Sequence, residues 1–181
     1  MKTVTYEEFL EFDPCWLEEE GGAERLKAYF DRFGGRMSAL DILNLDDVDA
    51  EDKLWSVLRE EFIPAPILRE FACVCAECAL TLIDNPDPRS IKAIEVKRAW
   101  LRGEATDGEL AAARDAAWSA ARDAARDAAS DAATVARAAA WAACDAAWAA
   151  CPAAWTASEA GWDDGSEAQV AYLIMVLEGG V

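Results

Sequence analysis

Three cysteines stand close together, Cys73, Cys75 and Cys78, in the stretch Phe71-Ala72-Cys73-Val74-Cys75-Ala76-Glu77-Cys78. Thiolates at such short spacing can hold zinc or an iron-sulfur cluster. On a helix, however, Cys75 and Cys78 share a face while Cys73 points away. No second cysteine pair lies at zinc-ribbon spacing, and the neighbours Phe71, Val74 and Leu80 are core types. These residues therefore read as buried structural thiols, with no metal and no other cofactor expected. The sequence contains no histidine, which removes the usual general base, the relay partner of serine and cysteine nucleophiles, and the commonest zinc ligand. There is no glycine-rich phosphate loop of either standard spacing. Paired carboxylates are so abundant that chance pairing is expected in nearly any fold, so a glycosidase-like acid and base gains nothing from their number. No catalytic residue is assigned, and the protein is expected not to be an enzyme.

Carboxylates dominate the chain: 35 Asp and Glu against 17 Lys and Arg give a formal charge of −18. The excess lies at the two ends, since residues 1–63 hold 7 bases and 17 acids, 64–104 hold 6 of each, and 105–181 hold 4 and 12. Such a balance repels nucleic acid and anionic membranes and favours encounter with a basic protein. Asp46, Asp47, Asp49, Glu51 and Asp52 crowd into one turn ahead of the apolar series Leu54, Trp55, Leu58 and Phe62. Acids belong at a helix N-terminus, but the dipole effect fades within the first turn, so five exceed what the helix needs. That surplus is the candidate recognition patch, which Glu18, Glu19 and Glu20 extend. A second acidic row, Asp115, Asp123, Asp127 and Asp131, rises about 6 Å per step along a helix, near the phosphate spacing of a nucleic-acid strand. Arg114, Arg122 and Arg126 stand beside it, so pairing three or four residues apart should balance the charge there.

The element that must carry this second row runs from Ala105 to Ala160, where 28 of 56 residues are alanine. Six tetrads open with alanine pairs at Ala112, Ala116, Ala120, Ala124, Ala128 and Ala132. Alanine is the best helix former, and the polar residues fall on one face. Downstream the period becomes seven, with Trp141, Trp148, Trp155 and Trp162 in line and Cys144 and Cys151 beside them. Core packing is the default role for these tryptophans, an oligomer seam or a partner site the alternatives. An unbroken helix from Asp107 to Cys151 would be about 65 Å long at ~1.5 Å per residue, too long for a compact domain of this size. A break is expected at Ser130 to Thr134 or at Pro152.

Elsewhere the chain reads as short helices divided by glycine and proline. Thr5 with Glu8 forms a capping box, and Asp13-Pro14 offers another start. Ala23 to Phe33 is amphipathic and ends at Gly34-Gly35, Ser38 to Leu45 is a shorter helix, and Ile67 to Ile83 is strongly apolar. Ser90 is placed as the cap of the next helix, whose Ile91, Ile94, Val96, Ala99 and Trp100 supply apolar surface while Lys92, Lys97, Arg98 and Arg102 supply charge. Thr106 with Glu109 forms another capping box, and Ser166 with Gln169 is placed at the start of a last apolar helix through Leu177. No strand is expected. The fold class is all-α, a multi-helix bundle with long alanine-rich helices and an acidic helical N-terminal subregion, divided as 1–63 and 64–181. Glu7, Glu8, Glu11 and Asp13 interrupt any signal-peptide run and nothing reaches the length of a membrane span, so a cytoplasmic protein with reduced cysteines is expected.

Phe71-Ala72-Cys73 with Ala76, Pro86-Asp87-Pro88-Arg89-Ser90, Trp100 with Arg102-Gly103-Glu104-Ala105-Thr106, Glu109-Leu110 and the alanine tetrads resemble the immunity proteins of the immunity-protein-five-like type, found in bacteria and actinobacterial phages. The likeness covers roughly residues 65 to 160. It implies an all-helical fold and a role in conflict systems, neutralising a toxin or countering a phage-defence system, and brings no catalytic residues. Combined with the charge, it makes a non-enzymatic inhibitor of a basic protein the leading expectation. The partner would be a nuclease toxin or a nucleic-acid-binding defence effector, engaged without direct contact to nucleic acid or membrane, and the oligomeric state stays open. The alternative is a helical pocket lined by Trp and the Arg and Lys of residues 89–102 that sequesters a signalling nucleotide.

Overall fold

The computed structural model describes residues 2–14, 17, 21–83, 85–127 and 165–179. Eight helices and one two-stranded sheet make up the described residues, an all-α fold with a small β element. The chain forms two compact units, one of Met1–Pro64 with Val170–Val181 and one of Ala65–Gln169. The division by sequence carries 64–181 as one piece, whereas the structure groups the greater part of the last helix, from Val170 on, with the N-terminal residues. A helix apolar on all sides bears no mark of which core receives it.

In the first unit, β1 (Thr3–Thr5) pairs antiparallel with β2 (Arg36–Ser38), Val4 standing opposite Met37. Each strand runs directly into a helix through its last residue. Thr5 ends β1 and caps α1 (Tyr6–Leu10): its Oγ1 accepts from the Glu8 amide at 3.2 Å while its own amide donates to Glu8 at 2.7 Å. Ser38 does the same between β2 and α3 (Ala39–Leu43), its partner being Asp41. Strands of three residues are too short to show a period of two, which is why the sequence concealed them. Between them α2 (Gly22–Arg32) ends where Gly34 and Gly35 both take positive φ, 72° and 85°, and the Gly35 amide returns to the Phe30 carbonyl at 2.7 Å. A side chain at either position would be strained. The core is aromatic: Phe9, Phe30 and Phe62 are at most 1% exposed, with the Phe9 ring edge-on to Phe30 at 5.7 Å and to Phe62 at 6.4 Å. The helix expected through Phe62 stops at Val57, so that α4 is Ala50–Val57 and the turn beyond it carries Phe62 and Ile63 into this core.

The second unit is built on three helices, α5 (Ala65–Thr81), α6 (Pro88–Leu101) and α7 (Asp107–Asp127). Ala72, Cys73, Ala76, Ala79 and Leu80 of α5 meet Ile94 of α6, and Ala93 of α6 meets Ala117 and Ala113 of α7. Small side chains let the backbones approach closely, at the cost of little apolar area per residue. Asp87 caps α6, accepting from the Arg89 amide at 2.8 Å, with Pro88 in the first turn. Ser90, placed as the cap by sequence, is the third residue of the helix and is fully buried. Proline at the first helical position outranks a later serine because its φ is already helical and its missing N–H needs no partner. Gly103 (φ 74°) ends α6, and the Thr106–Glu109 box starts α7.

The last helix, α8, spans Gly165–Glu178. Ser166 and Gln169 therefore sit within its first turn, both buried, and not ahead of it. The hinge between Ser130 and Thr134, the start at Pro152 and the tryptophan series from Trp141 to Trp162 lie outside the described residues. Among the described residues no helix is long and apolar enough to cross a membrane.

Candidate functional site

The acidic turn of the first unit is held out by the elements around it. Leu43 and Leu45 are buried at the end of α3, Leu54 is buried in α4, and the chain between them must reverse over a few residues. Asp46, Asp47 and Asp49 are exposed on that reversal, Glu51 is exposed in the first turn of α4, and Asp52 is half-buried. Asp49 is the N-cap of α4, yet its side chain makes no capping hydrogen bond. Helix initiation thus leaves its carboxylate available. Asp47 accepts from the Tyr29 hydroxyl at 2.8 Å. Burial first, and then that bond to a carboxylate, push the Tyr29 phenol above its ordinary range, so it remains a donor at neutral pH and ties the turn to α2. Among the described residues, Asp46, Asp47 and Asp49 have no lysine or arginine within ion-pair distance. Asp46, Asp47, Asp49 and Glu51 are thus all exposed, with Asp52 half-buried; Glu18, Glu19 and Glu20 lie outside the described residues.

Behind this turn is a cavity of about 10 Å³ lined by Leu26, Tyr29, Phe30, Ile42, Leu45 and Val48. It is barely large enough for a single water, so it offers packing support to the turn and no room for a small ligand.

The acidic row on α7 is built differently. Arg114 pairs with the adjacent Asp115 at 2.9 Å, and Asp123 receives Arg89 from the start of α6, also at 2.9 Å. One of these is a contact between chain neighbours and the other a bond between helices. Alanine packing brings α6 close enough for Arg89 to bridge Asp87 and Asp123. Those hydrogen bonds, from Asp87 first, raise the Arg89 guanidinium further above its ordinary value, and Arg89 in turn holds the Asp87 carboxyl below its own. Arg122 lies over the Trp118 ring at 5.5 Å. The side chains of Arg126 and Asp127, and all of Asp131, lie outside the described residues.

The three described cysteines all lie on α5. Cys73 and Cys75 are buried and Cys78 is half-buried. Cys73 faces α6 along with Ala76 and Leu80, so the face that was to point away from its neighbours is a packed one. Desolvation pushes the Cys73 thiol up to about 11 and the Cys75 thiol to about 12, where neither is a thiolate at neutral pH. Among the described residues no group of three or more His, Cys, Asp or Glu could hold a metal ion.

One residue departs from its expected place. Lys97, read from sequence as part of a charged face, is 1% exposed, its ammonium 4.4 Å from the centre of the Trp100 ring. Arg69 of α5 lies over the same ring at 5.7 Å. Sequence reasoning had no means to find this pair, because residues 28 apart are brought together only when α5 packs on α6.

No protein-family model, no curated protein and no solved structure matches this chain.

Proposed function

We propose that the protein is a non-enzymatic, acidic inhibitor that binds a basic surface of another protein, with Asp46, Asp47, Asp49, Glu51 and Asp52 as the face that steers the encounter. The observation that carries this reading is that Asp46, Asp47 and Asp49 are exposed, close in the chain and, among the described residues, without a cation within ion-pair distance, whereas Asp115 and Asp123 of the other row are each paired. Uncancelled charge creates a far field, and a far field raises association rates. The likeness of residues 65 to 160 to immunity-protein-five-like proteins supports the kind of target: a nuclease toxin or a nucleic-acid-binding defence effector, met in the cytoplasm. The basic groove of such a protein is the surface that an aspartate cluster fits. The test is capture from a bacterial lysate on immobilised protein, washed at rising salt. A captured basic protein that elutes between low and moderate salt supports the reading; capture of none whose retention depends on salt overturns it.

A further inference from the structure

We infer that the peptide bond between Asp13 and Pro14 is self-cleaving, cut in mildly acid solution by the carboxylate of Asp13 itself. The site is separate from the acidic turn and lies wholly within the first unit.

The sequence holds two Asp–Pro bonds, Asp13–Pro14 and Asp87–Pro88. The fold treats them differently. Among the described non-glycine residues Asp13 alone has a positive φ, 54°. A residue before proline is pressed by the proline ring toward extended backbone, so the left-handed region is doubly unfavourable there. The strain persists because both sides of Asp13 are fixed. Its amide donates to the Leu10 carbonyl at 3.1 Å, the Pro14 ring is fully buried, and the Pro14 carbonyl accepts from the Leu17 amide at 3.0 Å. Asp13 itself is exposed, and among the described residues its carboxylate has no hydrogen-bond or ion-pair partner. Asp87 is the opposite case. Its backbone is extended, at φ −60° and ψ 127°, and its half-buried carboxylate accepts from the Arg89 amide at 2.8 Å and from the Arg89 guanidinium at 2.7 Å.

An Asp–Pro bond is one that its own side chain can break. A carboxylate oxygen attacks the carbonyl carbon of the same residue, closing a cyclic anhydride at an effective concentration that no outside nucleophile reaches. The carbon–nitrogen bond breaks as the proline nitrogen, which carries no hydrogen in the peptide, takes a proton from solvent. The anhydride then adds a water and opens to two carboxyl groups, so the sum is hydrolysis of the peptide bond. The reaction is favoured by a carboxylate free to turn, by access of water and acid, and by strain that is released as the bond breaks. Asp13 has all of these, whereas the Asp87 carboxylate is held and its backbone is relaxed. A non-glycine residue kept in the left-handed region stores strain whose release is worth about tenfold in rate. After the cut, residues 1–13 would be held by the β1–β2 pairing and the burial of Phe9, without a covalent tie.

The experiment is incubation of the full chain at about pH 5, just above the ordinary aspartate range. Circular dichroism follows the fold and peptide masses count each cut, with a parallel sample in urea. In the folded chain the cut after Asp13 should outpace the cut after Asp87 by about tenfold or more. In urea both bonds lose their settings, and the two cuts should proceed at similar rates. Asp13→Asn, which tolerates the same backbone, should abolish the first cut. Arg89→Gln should quicken the second by freeing the Asp87 carboxylate. Absence of the first cut in the folded chain, similar rates for the two bonds there, the same preference in urea, or a first cut that survives Asp13→Asn overturns the inference. Each of these outcomes is independent of whether the acidic turn captures a basic protein.

Discussion

The acidic turn of the first unit and the aspartate row on α7 are made of the same side chains and do opposite things. On α7 the two described aspartates of the row each meet an arginine, Asp115 its neighbour Arg114 and Asp123 the incoming Arg89, so their charges cancel at a distance. At Asp46, Asp47 and Asp49 three carboxylates face outward, and the first base in the chain beyond them is Lys53. The difference shows that net charge is a poor guide to where uncancelled charge lies. Placement of the few cations decides which acids remain visible.

Neutralising the turn should have the largest effect. Asp46→Asn, Asp47→Asn and Asp49→Asn together remove three charges while asparagine keeps both capping capacity and an acceptor for the Tyr29 hydroxyl. Association with the basic protein recovered by capture should slow about 10-fold at low salt, with a shallower salt dependence and a nearly unchanged Tm. Stopped-flow mixing across a salt series measures this. Were the variant to associate at the original rate, the face would lie elsewhere.

Uncovering the second row is the next strongest change. Arg89→Gln removes the cation that Asp87 and Asp123 share, so α7 and the start of α6 should acquire a field of their own. Association should quicken roughly twofold at low salt, if two separated patches both steer. The same variant should lower Tm by about 2 °C, since exposed pairs contribute little.

The matched control is Asp115→Asn with Asp123→Asn and Asp127→Asn, for which less than a roughly twofold change in association is expected, because each aspartate of described placement is one half of a local pair. Loss of binding here with normal binding by the first variant would move the recognition face to the alanine-rich helix.

The smallest effect is on pH. Hydrogen bonding to Arg89 sets the folded Asp87 carboxyl below its ordinary value of 3.8. Its contribution to stability is therefore complete above that value and lost as pH falls through the lower, folded one. Acid unfolding followed by circular dichroism should show the Arg89→Gln variant destabilised near neutral pH and converging with the parent once the pH has fallen through the folded value of Asp87. Parallel curves throughout would mean that Asp87 draws nothing from Arg89.

Much of this was legible in residue order. Alanine tetrads and capping boxes at Thr5 and Thr106 specify helices through contacts only a few residues long, and those contacts exist before any tertiary structure does. The exposed acidic turn could be read too, because five acids between buried leucines have nowhere to go but outward. The absence of histidine removed whole classes of mechanism without reference to any fold.

What required the tertiary structure is every feature made by residues far apart in the chain. The strand pair joins Thr3 to Ser38 through backbone groups, which all residues share and which leave no trace in three-residue segments. Arg89 reaches Asp123 over 34 positions because alanine lets α6 and α7 come close, and that bond cancels the charge of Asp123. Lys97 looked like a surface charge because its burial depends on Trp100 and on α5 lying over it. Charge and helix propensity belong to residues and can be counted; cancellation and desolvation belong to neighbours, and only folding chooses those.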